Sequence, residues 1–296
     1  MGRLTTSRFG GDGMPVLSVS SYFCALAVAL TAALSPGAAA AAPNLVAAVL
    51  PVARAAQLNH TVTALATVIN SGDATATGCS IAVPPGRPVT FTYRTIAPNG
   101  TLGPVNTPVN IPGFNAAQNF LMTFTPTMSM GANLALVFDC TNSNPAPSVS
   151  GLNTFLLTGT TFAPADLIST MVTPTHNGIL TVTVNQSGAA AAAAINIGTS
   201  ATLQARAQAF APGSPAATLP GTLSICRTNP NGTCVSPPTT DPLTFASNAN
   251  ATATFSVFFQ SNGTTIPFDP ANKRVFINFF QNLGTTTVGS ASAAIR

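Results

Sequence analysis

Apolar and polar residues alternate with a period of two along most of this chain, which addresses successive side chains to opposite faces of an extended backbone. Phe120, Met122 and Phe124 share one face of such a run, and Leu134, Leu136, Phe138 and Cys140 share one in the next. Leu180, Val182 and Val184 alternate with threonines. Ala253, Phe255, Val257 and Phe259 form a fourth set, and Val275, Ile277 and Phe279 a fifth. Threonine and valine are stiff at χ1 and suit a pleated, half-buried surface. Between the runs lie Pro84-Pro85-Gly86, Pro98-Asn99-Gly100 and Pro230-Asn231-Gly232. Proline presets φ and glycine admits positive φ, so these clusters mark turns. No helical period of 3.6 is sustained after residue 41, and the run Ala189 to Ala194 is read as strand because it leads into Ile195-Asn-Ile-Gly198.

The pattern predicts strands at 44–50, 61–70, 79–83, 89–95, 117–125, 134–141 and 153–158. A second series follows at 167–173, 179–184, 190–197, 201–209, 222–227, 252–260, 274–281 and 288–295. Strands of this length and spacing specify an all-β fold of two tandem immunoglobulin-like antiparallel β-sandwiches. The boundaries read as a signal peptide over 1–41, a first sandwich over 42–158, a linker over 159–165 and a second sandwich over 166–296. Ala66-Thr-Val-Ile-Asn-Ser-Gly72 in the first half resembles Ala193-Ala-Ile-Asn-Ile-Gly198 in the second. Both are apolar strands that stop at Asn-x-Gly. This pattern, with Ile266-Pro-Phe-Asp-Pro-Ala-Asn-Lys-Arg-Val-Phe-Ile277, resembles blocks of uncharacterised secreted bacterial proteins that carry tandem immunoglobulin-like, cell-adhesion-related domains. The resemblance implies a β-sandwich fold and a cell-surface setting. It transfers no functional residue.

The first residues point to export. Arg3 and Arg8 precede an apolar stretch from Val16 to Leu34, Ser35-Pro36-Gly37 breaks it, and alanines follow from Ala38 to Ala42. A basic start, an apolar middle and small residues at an A-x-A site describe a secretory signal peptide. Met14 offers a second start. No later segment reads as a membrane span, so a secreted or cell-surface location is expected, the periplasm included. Charge is scarce: charged residues make up 5% of the chain, and glutamate is absent. The pI near 9.1 therefore reflects few acids, not many bases. Only Lys273 and Arg274 are adjacent in the exported part, too thin a cluster to displace counterions from phosphates, so nucleic acid is excluded as a partner.

Four cysteines remain after the signal: Cys79, Cys140, Cys226 and Cys234. Of their three pairings, Cys79–Cys140 with Cys226–Cys234 keeps each bond within one half. Zinc would need close cysteine pairs or nearby histidine, so no metal or cofactor is implied. Histidine occurs twice, as His60 before a strand and His176 in a turn, and neither adjoins a nucleophile motif. The aspartates Asp73, Asp139, Asp166, Asp241 and Asp269 are far apart in sequence, which disfavours a paired-carboxylate enzyme. Asp269-Pro-Ala-Asn272 is too acid-poor for calcium and reads as a capped turn. Arg87, Arg94 and Arg227 are the groups available to acidic sugars, and Tyr93, Phe114 and Phe162 the rings available for stacking. Six Asn-x-Ser/Thr sequons occur, at Asn59, Asn99, Asn185, Asn231, Asn250 and Asn262. These features favour a non-catalytic, exported structural or adhesive cell-surface protein. The alternative is an extracellular carbohydrate- or ligand-binding module. Partners would be further copies, another surface protein or a glycan.

Overall fold

A computed structural model describes residues 41–296, and every regular element in them is a β-strand. The first half runs β1 (Leu45–Leu50), β2 (Ala53–Gln57), β3 (Val62–Asn70), β4 (Ala76–Ala82), β5 (Val89–Ile96), β6 (Val109–Ile111), β7 (Ala116–Pro126), β8 (Met130–Ala135), β9 (Val137–Asp139) and β10 (Thr154–Thr160). The second runs β11 (Leu167–Val172), β12 (Ile179–Leu180), β13 (Ser187–Asn196), β14 (Ala201–Gln208), β15 (Gly221–Arg227), β16 (Leu243–Ser247), β17 (Thr252–Ser261), β18 (Arg274–Gln281) and β19 (Thr286–Ile295). The segment read as a signal peptide lies, apart from its last residue, outside the described residues.

One sheet of the first half has the order β1-β3-β7-β5. Facing it are β2-β10-β8 and β6-β4-β9, linked because β8 and β9 are consecutive pieces of one segment that changes partner at Leu136. The second half repeats the scheme as β11-β13-β17-β15 against β12-β19-β18-β14-β16. In each half the opening strand is divided. Its first part pairs antiparallel with the third strand of that half, and its second part pairs parallel with the last strand. The two halves thus repeat each other strand for strand, β18 standing where β8 and β9 stand.

Alternation places one face of each strand in a core. Phe124 stacks on Phe155 with ring centroids 4.1 Å apart, and Phe91 lies 5.0 Å from Phe124. In the second half Phe245, Phe255 and Phe279 meet edge-on or tilted, with Phe245 and Phe255 at 5.2 Å. The outer face of the first sheet carries one charge, the exposed Arg94 opposite Leu121, among neutral residues. Thr123 sits opposite both Thr63 and Thr92, and its hydroxyl shares a hydrogen bond of 2.6 Å with that of Thr92.

Asn70 and Asn196, both fully buried, end equivalent strands and do equivalent work. Each side-chain oxygen accepts from the backbone N–H of the residue before the half's opening strand, Asn44 or Asp166. It also accepts from the glycine two residues on, Gly72 or Gly198. Each amide nitrogen donates to two carbonyls, those of Ala74 and Ile111 or of Thr199 and Ser247. The motif is therefore more than a strand stop: it ties three separate stretches of chain together. Glycine is required beside it, because a Cβ on Gly198 would sit 2.6 Å from the Asp166 nitrogen and one on Gly72 2.7 Å from the Asn44 nitrogen.

Three strands escape the sequence pattern. β2 is buried on both faces, so Ala53, Arg54, Ala55 and Ala56 show no alternation. β6 and β16 are short pieces held against β4 and β14. The strand read at 179–184 is regular only at Ile179–Leu180, and that read at 134–141 begins earlier, at Met130. β10 runs on to Thr160, into the stretch read as linker, where Pro164 and Ala165 are buried. Residues 41–296 form one compact unit.

Candidate functional site

Cys79 is bonded to Cys140 and Cys226 to Cys234. The first bond crosses neighbouring segments of one sheet and closes a separation of 61 residues. The second closes a separation of 8 at the end of β15, where Thr228 bridges Cys234. Structural disulfides of this kind persist in oxidising compartments outside the cytosol.

The titratable candidates are dispersed. His176 lies on an exposed turn with φ of 55°. His60 is exposed too, but it lines a groove of about 290 Å³ with Asp166 and Thr199. There the Thr199 hydroxyl donates to the Ala163 carbonyl, and Arg54 holds the Asp166 carboxylate. Asp73 accepts from the Ala42 N–H. Asp269 accepts from the backbone and side chain of Asn272, which holds its carboxyl below the usual range. Asp139 lies in β9, and Asp241 precedes β16. Among the described residues no group of three His, Cys, Asp or Glu side chains is placed to hold a metal, and no helix is long and apolar enough to cross a membrane.

Arg87, Arg94 and Arg227 are exposed and lie on separate elements. The Lys273-Arg274 pair is split, since Arg274 is buried. Tyr93 is buried edge-on to Phe120 at 5.9 Å, which removes it as a stacking platform, and burial raises the pKa of its phenol. Phe114 and Phe162 remain at the surface, on the turn before β7 and just after β10. All six sequon asparagines are exposed. Asn59, Asn185 and Asn250 have φ near 60°, a conformation that asparagine tolerates better than most residues.

Buried polar contacts gather instead at the seam between the halves. β10 is buried on both faces, as is nearly all of β18. Phe155 and Leu157 point into the first core, while Leu156, Thr158 and Thr160 face the other way. One ion pair crosses the seam. Arg54 Nε donates to both Asp166 oxygens at 2.9 and 3.3 Å, and its Nη2 lies 2.8 Å from Oδ2. The Ala55 N–H adds a bond of 3.0 Å to the same carboxylate, and Arg54 Nη1 donates to the Thr63 carbonyl. Further along, Arg274 donates from Nε and Nη2 to Ser292 Oγ, which itself donates to the Gly151 carbonyl across the seam. Burial pushes the Arg274 guanidinium down to about 10. A cleft of about 580 Å³ opens where β8 and β10 meet the β18–β19 turn.

In the sequence Asp166 stands only among scattered acids, and Arg54 and Thr158 stand in no motif. Two signals were present. Arg54 is the sole charge between residues 43 and 57, and Asp166 stands before Leu167 as Asn44 stands before Leu45. Nothing in the sequence distinguishes Thr158 from its many neighbours of the same type.

The fold and site define an all-β, disulfide-bonded chain of two sandwich-like halves sharing a buried seam. No protein-family model matches it, and no curated protein matches it. Among solved structures it is similar to the secreted serine protease VesC from Vibrio cholerae, at 9% identity and a TM-score of 0.24, over 76% of this chain and 48% of that one. It is also similar to the CupB6 tip adhesin from Pseudomonas aeruginosa, at 7% identity and a TM-score of 0.22, over 85% of this chain and 99% of the adhesin. The chain thus spans about half the length of the protease it matches. Neither likeness carries an argument about function.

Proposed function

We propose that this chain is a non-catalytic, exported structural or adhesive protein of the cell surface, built from two immunoglobulin-like sandwiches. The observation that carries the reading is the seam. Its buried strands and buried ion pair join the two halves, and they leave free the outer faces of the β1-β3-β7-β5 and β11-β13-β17-β15 sheets. Those faces bear neutral threonines beside exposed apolar side chains such as Val46, Leu50 and Leu65. A surface with so few charges lacks the repulsion that normally discourages association. The paired cysteines support an oxidising location. Asp166, the carboxylate nearest in kind to a catalytic partner for His60, is engaged by Arg54, which argues against a base–acid pair in that groove.

The test is fractionation of the producing cells, followed by non-reducing size analysis of the fraction that holds the protein. Recovery in cell-attached assemblies is the expected result. Recovery solely as a free monomer in the medium would overturn the reading.

A further inference from the structure

We propose that the cleft at the end of the seam binds a short neutral saccharide, which would be the partner through which the adhesive reading above operates. The cleft has a volume of about 580 Å³, within the range of small-ligand sites. None of its lining residues is charged, and half of them carry hydroxyls, among them Thr158, Thr160, Thr161, Thr286 and Thr287. Hydroxyls both donate and accept, which matches the mixed demand of a sugar ring. With no cation in the wall, an acidic sugar has no counter-charge there.

Two further observations point to an occupant. Thr158 is 3% exposed, and its hydroxyl has no hydrogen-bond partner. A buried polar group without a partner is uncommon and costly. Its neighbour Thr160 is satisfied by the Phe162 carbonyl at 2.6 Å, and among the residues lining the cleft Thr158 alone is both buried and without a partner. Second, the Phe162 ring lines the same cleft and stays 41% exposed, offering a flat apolar surface to the C–H face of a sugar. β10 itself offers no edge to an added peptide strand, being paired on both sides by β2 and β8.

The experiment uses the full oxidised chain with maltotriose, cellotriose, chitotriose, lactose and 3′-sialyllactose as probes. Binding is read by saturation-transfer NMR and titration calorimetry. At least one neutral probe should bind with a Kd of about 1 mM or tighter. Phe162→Ala, at an exposed position, should weaken it about tenfold, and Thr158→Val about fivefold. Thr158→Ser, which restores the hydroxyl, should recover it. Three outcomes would overturn the proposal: no neutral probe binding at about 10 mM, binding that survives both Phe162→Ala and Thr158→Val, or 3′-sialyllactose bound more tightly than lactose. Cell fractionation separates this failure from failure of the broader reading, since cell-attached assemblies that ignore all five sugars would remove the glycan and keep the structural role.

Discussion

Replacing Asp166 with alanine isolates the ion pair that crosses the seam. In the native protein its carboxylate takes the Arg54 Nε and Nη2 donors and the Ala55 N–H, with side chains only 10% and 7% exposed. Asp166→Ala leaves the guanidinium buried with the Thr63 carbonyl alone. Removing one partner of a buried pair costs about 3–5 kcal/mol. The Arg54→Met, Asp166→Leu double variant removes both charges and leaves only the Ala55 N–H and the Thr63 carbonyl unpaired. At about 1 kcal/mol each, its cost should be about 2 kcal/mol, less than that of Asp166→Ala alone. Urea unfolding of the oxidised chain, followed by far-UV circular dichroism, measures both. The midpoint should fall while the slope with denaturant stays constant. A cost for Asp166→Ala below about 1 kcal/mol, the value of a surface pair, would refute the idea that the seam is dry at this point.

Three other outcomes follow from the geometry. Asn70→Ala and Asn196→Ala each remove a buried side chain with four backbone partners, so both should cost about 3 kcal/mol in the same urea assay, with matching values for the two halves. Replacing Cys79 and Cys140 by serine should cost about 4 kcal/mol, against about 2.5 kcal/mol for Cys226 and Cys234, as the closed loops of 61 and 8 residues predict; equal losses would contradict the loop-entropy account. Tyr93 should titrate above the ordinary tyrosine value, read by ultraviolet absorbance and assigned by loss of that signal in Tyr93→Phe. Because its folded pKa is raised, its contribution to stability is complete below the unfolded value of about 10 and is lost as pH rises through the folded value.

Period-two alternation was legible wherever a strand has one face in a core and one in water. It located β1, β3, β5, β7, β15 and β17 to within about two residues, the ordinary uncertainty of an element's ends. It failed at β2 because both faces of that strand are buried, which erases the period. β18, also buried on both faces, was found nonetheless, because Val275, Ile277 and Phe279 alternate with Phe276, Asn278 and Phe280. The site was less legible for a related reason. Seam residues are selected by what lies across the gap, and the chain encodes that gap only through folding. Arg54 and Asp166 are 112 positions apart, and Thr158 differs from other threonines only by facing the second half.

The repeat of the two halves shows how the seam is built. Each half seats the residue before its opening strand on a buried asparagine, Asn44 on Asn70 and Asp166 on Asn196. The backbone bonds at the two positions correspond, down to the bond from the next strand's end to the Asn44 or Asp166 carbonyl. The side chains differ. Asn44 lies at the surface and donates to the Ser71 hydroxyl, whereas Asp166 reaches back to Arg54 in the first half. A carboxylate placed beside the buried Arg54 makes this position a joint between modules, where Asn44 makes only a local bond. A buried asparagine that fixes the local backbone makes that joint directional, because Asp166 cannot move without disturbing the Asn196 clamp. Asp166→Asn should therefore keep the clamp and the Ala55 hydrogen bond, yet still leave the Arg54 charge without its counter-charge. Its cost should lie between those of the double variant and Asp166→Ala.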